Sequence, residues 1–133
     1  STGDMASFEL SPAGCRILEA DKGYLCHTNH FLHDDLIEDD VGRIGNQSTI
    51  NRLNRSESLM SDSMSFKDIE SLLCDQSDGL ESICRFPDLS LPAIAQLETV
   101  CSVIMNLTSR TLAVSGAQPS VSEYIHYSFT DME

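Results

Sequence analysis

Alternation of apolar and polar positions opens the chain. In GDMASFEL, Ala6, Phe8 and Leu10 share one face of an extended segment, and Met5, Ser7 and Glu9 share the other. SPAG, Ser11 to Gly14, carries the Pro and Gly of a turn; CRILEA reads as a second short strand and DKG, Asp21 to Gly23, as a second turn. YLCHTN, from Tyr24, reads as a third strand, so residues 3–30 are expected to form a β-meander. The acidic, glycine-bearing stretch 34–47 reads as a loop. The apolar spacing then changes from two to three and four. Ile50, Leu53 and Met60 share a face of a helix expected over about 49–61, with Ser48 or Thr49 as its cap and Arg52 and Arg55 at neighbouring positions. A second helix is expected over about 66–75. Ser65 caps it, Asp68 stands at the capping-box position, and Phe66, Ile69, Leu72 and Leu73 form its stripe. The turn-rich QSDGLESICRFPDLSLP leaves room for a short strand at Ser82 to Arg85. Strands follow over about 98–129. In ETVCSVIMNL, Val100, Ser102 and Ile104 alternate with Cys101, Val103 and Met105; most of both sets are apolar, which suits a sheet covered on both faces. TLAVSG is its hairpin partner and EYIHYSF the last strand.

Strands, then helices, then strands predict an α+β fold with a mostly antiparallel sheet. Two helices cannot cover both faces of such a sheet, so residues 1–133 are expected to be part of a larger sandwich rather than all of one.

Charge narrows the partners. Eight Lys and Arg face twenty-one acids, a net charge of −13. That balance repels a phosphate backbone and an anionic bilayer, so neither nucleic acid nor membrane is expected. No apolar run approaches the roughly 18 residues of a membrane span. Five cysteines, Cys15, Cys26, Cys74, Cys84 and Cys101, occur without a CxxC. Reduced thiols in a cytoplasmic setting are expected, with Ser1 rather than Met at the head of the chain. The sequons at Asn46, Asn54 and Asn106 read as chance occurrences.

Candidate chemistry concentrates in YLCHTNHFLHDD, Tyr24 to Asp35. His27, His30 and His33 recur every third residue beside Cys26, Asp34 and Asp35, and all these side chains bind divalent metals. A strand sends Cys26 and His27 to opposite faces, and a helix spreads the three rings over a wide arc. A different reading centres on Asn29, whose uncharged amide carries two N–H donors suited to the oxyanion of an acyl-transfer intermediate. His27 and His30 would line its pocket. The plain alternative is a turn asparagine at a strand end, and the residues alone favour it. Ser1 as an N-terminal nucleophile and a Cys26–His27 pair are weaker candidates, the latter for its geometry.

Several stretches together resemble one family: FELSP at 8–12, YLCHTNHFL at 24–32, NRLNRSESLM at 51–60, LLCDQSDGLESICRFPD at 72–88 and TVCSVIMNLTSRTLAVSGAQP at 99–119. They are similar, in order, to the C-terminal part of the isopenicillin N acyltransferases, also called acyl-coenzyme A:6-aminopenicillanic acid acyltransferases or C45 peptidases. The resemblance implies an N-terminal nucleophile hydrolase fold, a four-layer αββα sandwich matured by autoproteolysis before a Cys. The freed Cys attacks an amide or thioester, with its own α-amino group as base. Asn29 matches the family's oxyanion donor, and His27, Thr28 and His30 match the rest of the H-T-N-H motif as pocket residues. The implied partners are an upstream segment carrying the nucleophile and a small amide or acyl-CoA-type substrate; no cofactor is implied. Two departures stand out. None of the five cysteines matches the nucleophile, Cys84 falling in the separate ICR stretch. No Arg stands near Ala93 to Gln96, where the penicillin enzyme has one, which argues against penicillin precursors as substrate. The competing expectation is a stand-alone α+β binding or structural module, metal-loaded through His27, His30 and His33.

Overall fold

The computed structural model describes residues 5–20, 22–38 and 40–129. Ser1, the expected strand start at residue 3 and Asp21 of the DKG turn lie outside them. Among the described residues are five strands in two antiparallel sheets and three α-helices, an α+β architecture. The chain divides into two compact units, 1–64 and 65–133.

In the first unit, β1 (Ala6–Ser11) and β2 (Gly14–Glu19) form a hairpin with Phe8 opposite Ile17 and Leu10 opposite Cys15. Ser11 Oγ accepts the Ala13 N–H at 3.1 Å across the turn, and Gly14 takes φ 132°, a region open to glycine. The two faces are used in an unusual sense. Phe8 and Leu10 are 63% and 72% exposed, whereas Glu9 between them is 3% exposed. The hairpin thus turns a carboxylate into the unit and its apolar stripe outward.

The third strand expected from Tyr24 does not form. The segment following it finds its hydrogen-bond partners in side chains instead of a neighbouring strand. Glu9 accepts the N–H groups of Leu32 at 2.6 Å and His33 at 2.9 Å, and Asp40 accepts that of Phe31 at 2.6 Å. The stretch expected as a loop contains a one-turn helix, α1 (Asp34–Ile37), which buries Leu36 and is capped by His33, whose Nδ1 accepts the Asp35 N–H. Asp40 also holds the N–H groups of Gly42 and Arg43 in the loop that follows. Helix α2 (Gln47–Leu59) has Asn46 as its N-cap residue, ahead of the expected caps Ser48 and Thr49. Thr49 lies within the helix, fully buried, because its hydroxyl serves another segment. Among the described residues of this unit, those buried are Leu36 and Leu53 with Glu9, His30, Asp40 and Thr49. This is a polar interior, stable only because its groups are hydrogen-bonded.

In the second unit, α3 (Phe66–Leu73) starts with a complete capping box: Ser65 Oγ accepts the Asp68 N–H, and Asp68 accepts the Ser65 N–H at 2.8 Å. Strands β3 (Ser102–Asn106), β4 (Thr111–Ser115) and β5 (Tyr124–Ser128) pair in that order. Ser102, Ile104, Ala113 and Ser115 are buried on one face, and α3 packs against β3. Val103, Met105, Ile125 and Tyr127 are exposed on the other, so the face-to-face cover expected for these strands is present on one side among the described residues. The short strand expected at Ser82 to Arg85 is also absent. There the Arg85 N–H donates to Thr99 Oγ1 and the Thr99 N–H returns to Arg85 O at 2.9 Å, which delays the start of β3 to Ser102.

Candidate functional site

The H-T-N-H residues lie in the irregular segment between β2 and α1, and α2 holds them. Thr49 is the fixed point. Its Oγ1 accepts the Asn29 N–H at 2.9 Å and lies 2.9 Å from His30 Nδ1 and 3.0 Å from Thr28 Oγ1. Thr28 in turn donates its hydroxyl proton to the Thr49 carbonyl oxygen at 2.9 Å. A hydroxyl has one proton and two lone pairs. The set closes when Thr49 accepts from Asn29 N–H and His30 Nδ1–H and donates to Thr28. That assigns the His30 proton to Nδ1. Burial and the nearby Arg43 charge lower the His30 pKa, with Asp40 opposing, which keeps the ring neutral as this network requires.

Asn29 is exposed, and its two ends are treated differently. The backbone is pinned by Thr49. The side-chain Oδ1 accepts from the Arg52 guanidinium at 2.7 Å. Occupying the carbonyl end of the amide orients its NH₂ end, and among the described residues Nδ2 makes no hydrogen bond. The asparagine thus presents an oriented, solvent-facing donor. Arg52 comes from α2, at one of the two arginine positions that the sequence spacing singles out.

His27 is anchored on the other side. Its Nε2 lies 2.7 Å from Glu9 Oε1 and its Nδ1 2.6 Å from the Thr28 carbonyl oxygen. With an acceptor oxygen beside each nitrogen, the ring braces the loop. Burial alone would raise the Glu9 pKa. The Leu32 and His33 N–H groups, with His27, outweigh it and hold the carboxyl below its ordinary range. The three imidazoles of the metal reading face separate partners: His27 faces Glu9, His30 faces Thr49, and His33 accepts from Asp35. Among the described residues, no group of three or more His, Cys, Asp or Glu side chains could hold a metal ion. The His27/His30/His33 metal centre is therefore corrected: ring orientation, set by these bonds, separates the ligands.

Glu9, Thr49 and Asp40 were not among the residues that the sequence nominates. Glu9 sits in the polar half of an alternating strand, and Thr49 reads as a helix cap; only the fold turns them inward. Replacing Thr49 by Val, which keeps the shape and removes the hydroxyl, leaves the Asn29 N–H without a partner and His30 Nδ1 with Thr28 Oγ1 alone, 3.1 Å away. A loss of about 2 kcal/mol is expected in urea unfolding of the protein, with Thr49→Ser costing less.

The thiols divide by environment. All five cysteines are free. Cys84, of the ICR stretch, is buried with its Sγ 3.4 Å from Ser120 Oγ. Cys26 is half-buried, and burial followed by the Glu57 charge raises its pKa. The raised Cys26 thiol is not that of an activated nucleophile, which needs a lowered pKa. No helix among the described residues is long and apolar enough to cross a membrane. A family model described as acyl-coenzyme A:6-aminopenicillanic acid acyl-transferase matches residues 1–120. No curated protein matches the chain.

Proposed function

This chain belongs to the acyl-coenzyme A:6-aminopenicillanic acid acyl-transferase family, and from that premise we propose that it contributes the oxyanion-stabilising part of a cysteine-dependent amide hydrolase or acyltransferase of the N-terminal nucleophile class. Asn29 is the donor. The observation that carries this reading is the Arg52 bond to Asn29 Oδ1 at 2.7 Å, which turns the amide N–H groups toward solvent while Thr49 holds the backbone. Donors fixed in advance of the reaction stabilise developing negative charge without reorganising.

In this reading the nucleophile is a terminal Cys of another segment of the protein, released by autoprocessing. Its thiolate forms a bond to the substrate carbonyl carbon, the carbonyl oxygen becomes the oxyanion, and Asn29 Nδ2 donates to it. Collapse of the tetrahedral intermediate breaks the bond to the leaving amine, or to the coenzyme A sulfur of a thioester. Water or a second amine then takes the acyl group from the Cys. Thr28, His27 and His30 hold the loop. The setting is cytoplasmic, consistent with five free thiols. The outward apolar residues Phe8, Leu10 and Ile17 of the hairpin support placement inside a larger layered sandwich, where further structure covers them.

The experiment that tests the reading is turnover of the full-length protein carrying Asn29→Ala. Arg52 supplies a second test as a positioning residue. Arg52→Met is expected to lower kcat about tenfold with little change in KM, and Arg52→Lys to recover part of it, because Lys can still occupy Oδ1. Unchanged kcat in Arg52→Met would remove the orienting role.

A further inference from the structure

The first unit contains a cleft that the oxyanion reading leaves unused. Its volume is about 300 Å³, at the small end of the range for small-molecule sites. Half-buried Leu18, Tyr24, Leu25, Cys26 and Leu32 form its floor. Its rim is exposed and carries Glu19, Lys22 and Glu57. None of these three makes an ion pair with a described residue. Among the described residues, two carboxylates against one ammonium leave the rim with an excess of one negative charge, on a chain whose net charge is −13. The Glu57 charge is felt at the floor, since it adds to burial in raising the Cys26 thiol. Cys26 is thereby held as a neutral thiol and serves as an apolar wall.

An apolar floor beneath an unpaired acidic rim selects a ligand with two parts. The body must be apolar and small enough for the cleft. The head must be cationic and remain at the mouth, where it can stay partly hydrated. We propose that this cleft binds a small primary ammonium bearing an arylalkyl body, the body lying on the leucines and Tyr24 and the ammonium meeting Glu19 and Glu57. A neutral isostere forfeits the rim contacts, and an anion of the same shape meets like charge.

Calorimetric titration of the full-length protein with 2-phenylethylammonium tests this, with 2-phenylethanol and 3-phenylpropionate as the neutral and anionic probes. The expected result is saturable one-site binding of the ammonium, about tenfold weaker binding of the alcohol and none of the carboxylate. Glu57→Gln is expected to weaken ammonium binding about fivefold and Glu57→Lys more, both on an exposed helical position that tolerates either residue. Absence of saturable ammonium binding, equal affinity for ammonium and alcohol, or indifference to Glu57 would each overturn the proposal. The readout is binding, not turnover, so it stands or falls separately from the role of Asn29.

Discussion

Replacing Asn29 by Ala in the full-length protein is expected to lower kcat at least a hundredfold, with KM changed little. The magnitude follows from what one oxyanion donor supplies, roughly 10²–10³ in kcat where the donor is fixed and water is excluded. The kcat-against-KM split follows from timing: the donor meets a full negative charge only after the carbonyl has been attacked, so its loss is felt in the transition state. Asn29→Asp separates this role from a structural one. An aspartate still offers an oxygen to Arg52, whose bond to Oδ1 is 2.7 Å in the parent protein, and leaves the backbone N–H bond to Thr49 intact. Stability is therefore expected to be kept or improved. The NH₂ donor, however, is replaced by an acceptor that repels an oxyanion, so kcat should fall at least as far as in Asn29→Ala. A residue that merely shaped the loop would show the opposite order, with Ala worse than Asp. Full kcat in both variants would end the assignment.

The contrast between elements that were legible and those that were not has a physical basis. The capping box of α3 is a local device, three residues apart along the chain, and Ser65 and Asp68 form it as their identities indicate. The β3–β4 hairpin and β5 likewise follow from short-range alternation. The segment from Tyr24 has strand-like residues, but its fate rests on distant side chains. Glu9 lies 23 positions from Leu32 and Thr49 lies 20 from Asn29, and these bonds displace a ladder. Composition also misleads on the hairpin. Phe8 and Leu10 look like core residues, and Glu9 looks like a surface residue; burial is the reverse, because the unit needs a carboxylate for the loop's N–H groups more than another apolar contact. Asn29 itself could be nominated from sequence only through the H-T-N-H match. Its orientation depends on Arg52, which spacing placed on a helix without naming what it would touch.

Removing the Glu9 carboxylate is the second large effect expected. Glu9→Ala withdraws the acceptor of the Leu32 and His33 N–H groups and of His27 Nε2, at 2.6, 2.9 and 2.7 Å. The loop keeps no other strand or helix bond to hold these N–H groups. A loss of about 3 kcal/mol is expected in urea unfolding, since bonds to a charged acceptor are the stronger kind and buried donors are left unmet. Glu9→Gln retains one oxygen and most of the shape, so it should lose less. The acid limb of stability carries the same information with a definite sign. The Glu9 pKa is depressed in the folded protein, so its contribution is complete above the ordinary value of 4.5 and is lost as pH falls through the lower folded value. His30 acts in the same direction from a higher starting point. The fold holds its ring neutral where the unfolded chain takes up a proton, so stability is complete above 6.5 and declines as pH drops below it. Unfolding midpoints measured from pH 8 to pH 3 should therefore fall in two stages, the first set by His30 and the second by Glu9 together with Asp35, Asp68 and Asp88, whose carboxyls are also held below their ordinary range. Glu9→Ala should make the second stage shallower. A variant whose midpoint falls as steeply below pH 4.5 as the parent's would show that the acid sensitivity lies elsewhere and that the buried carboxylate does not anchor the loop presenting Asn29.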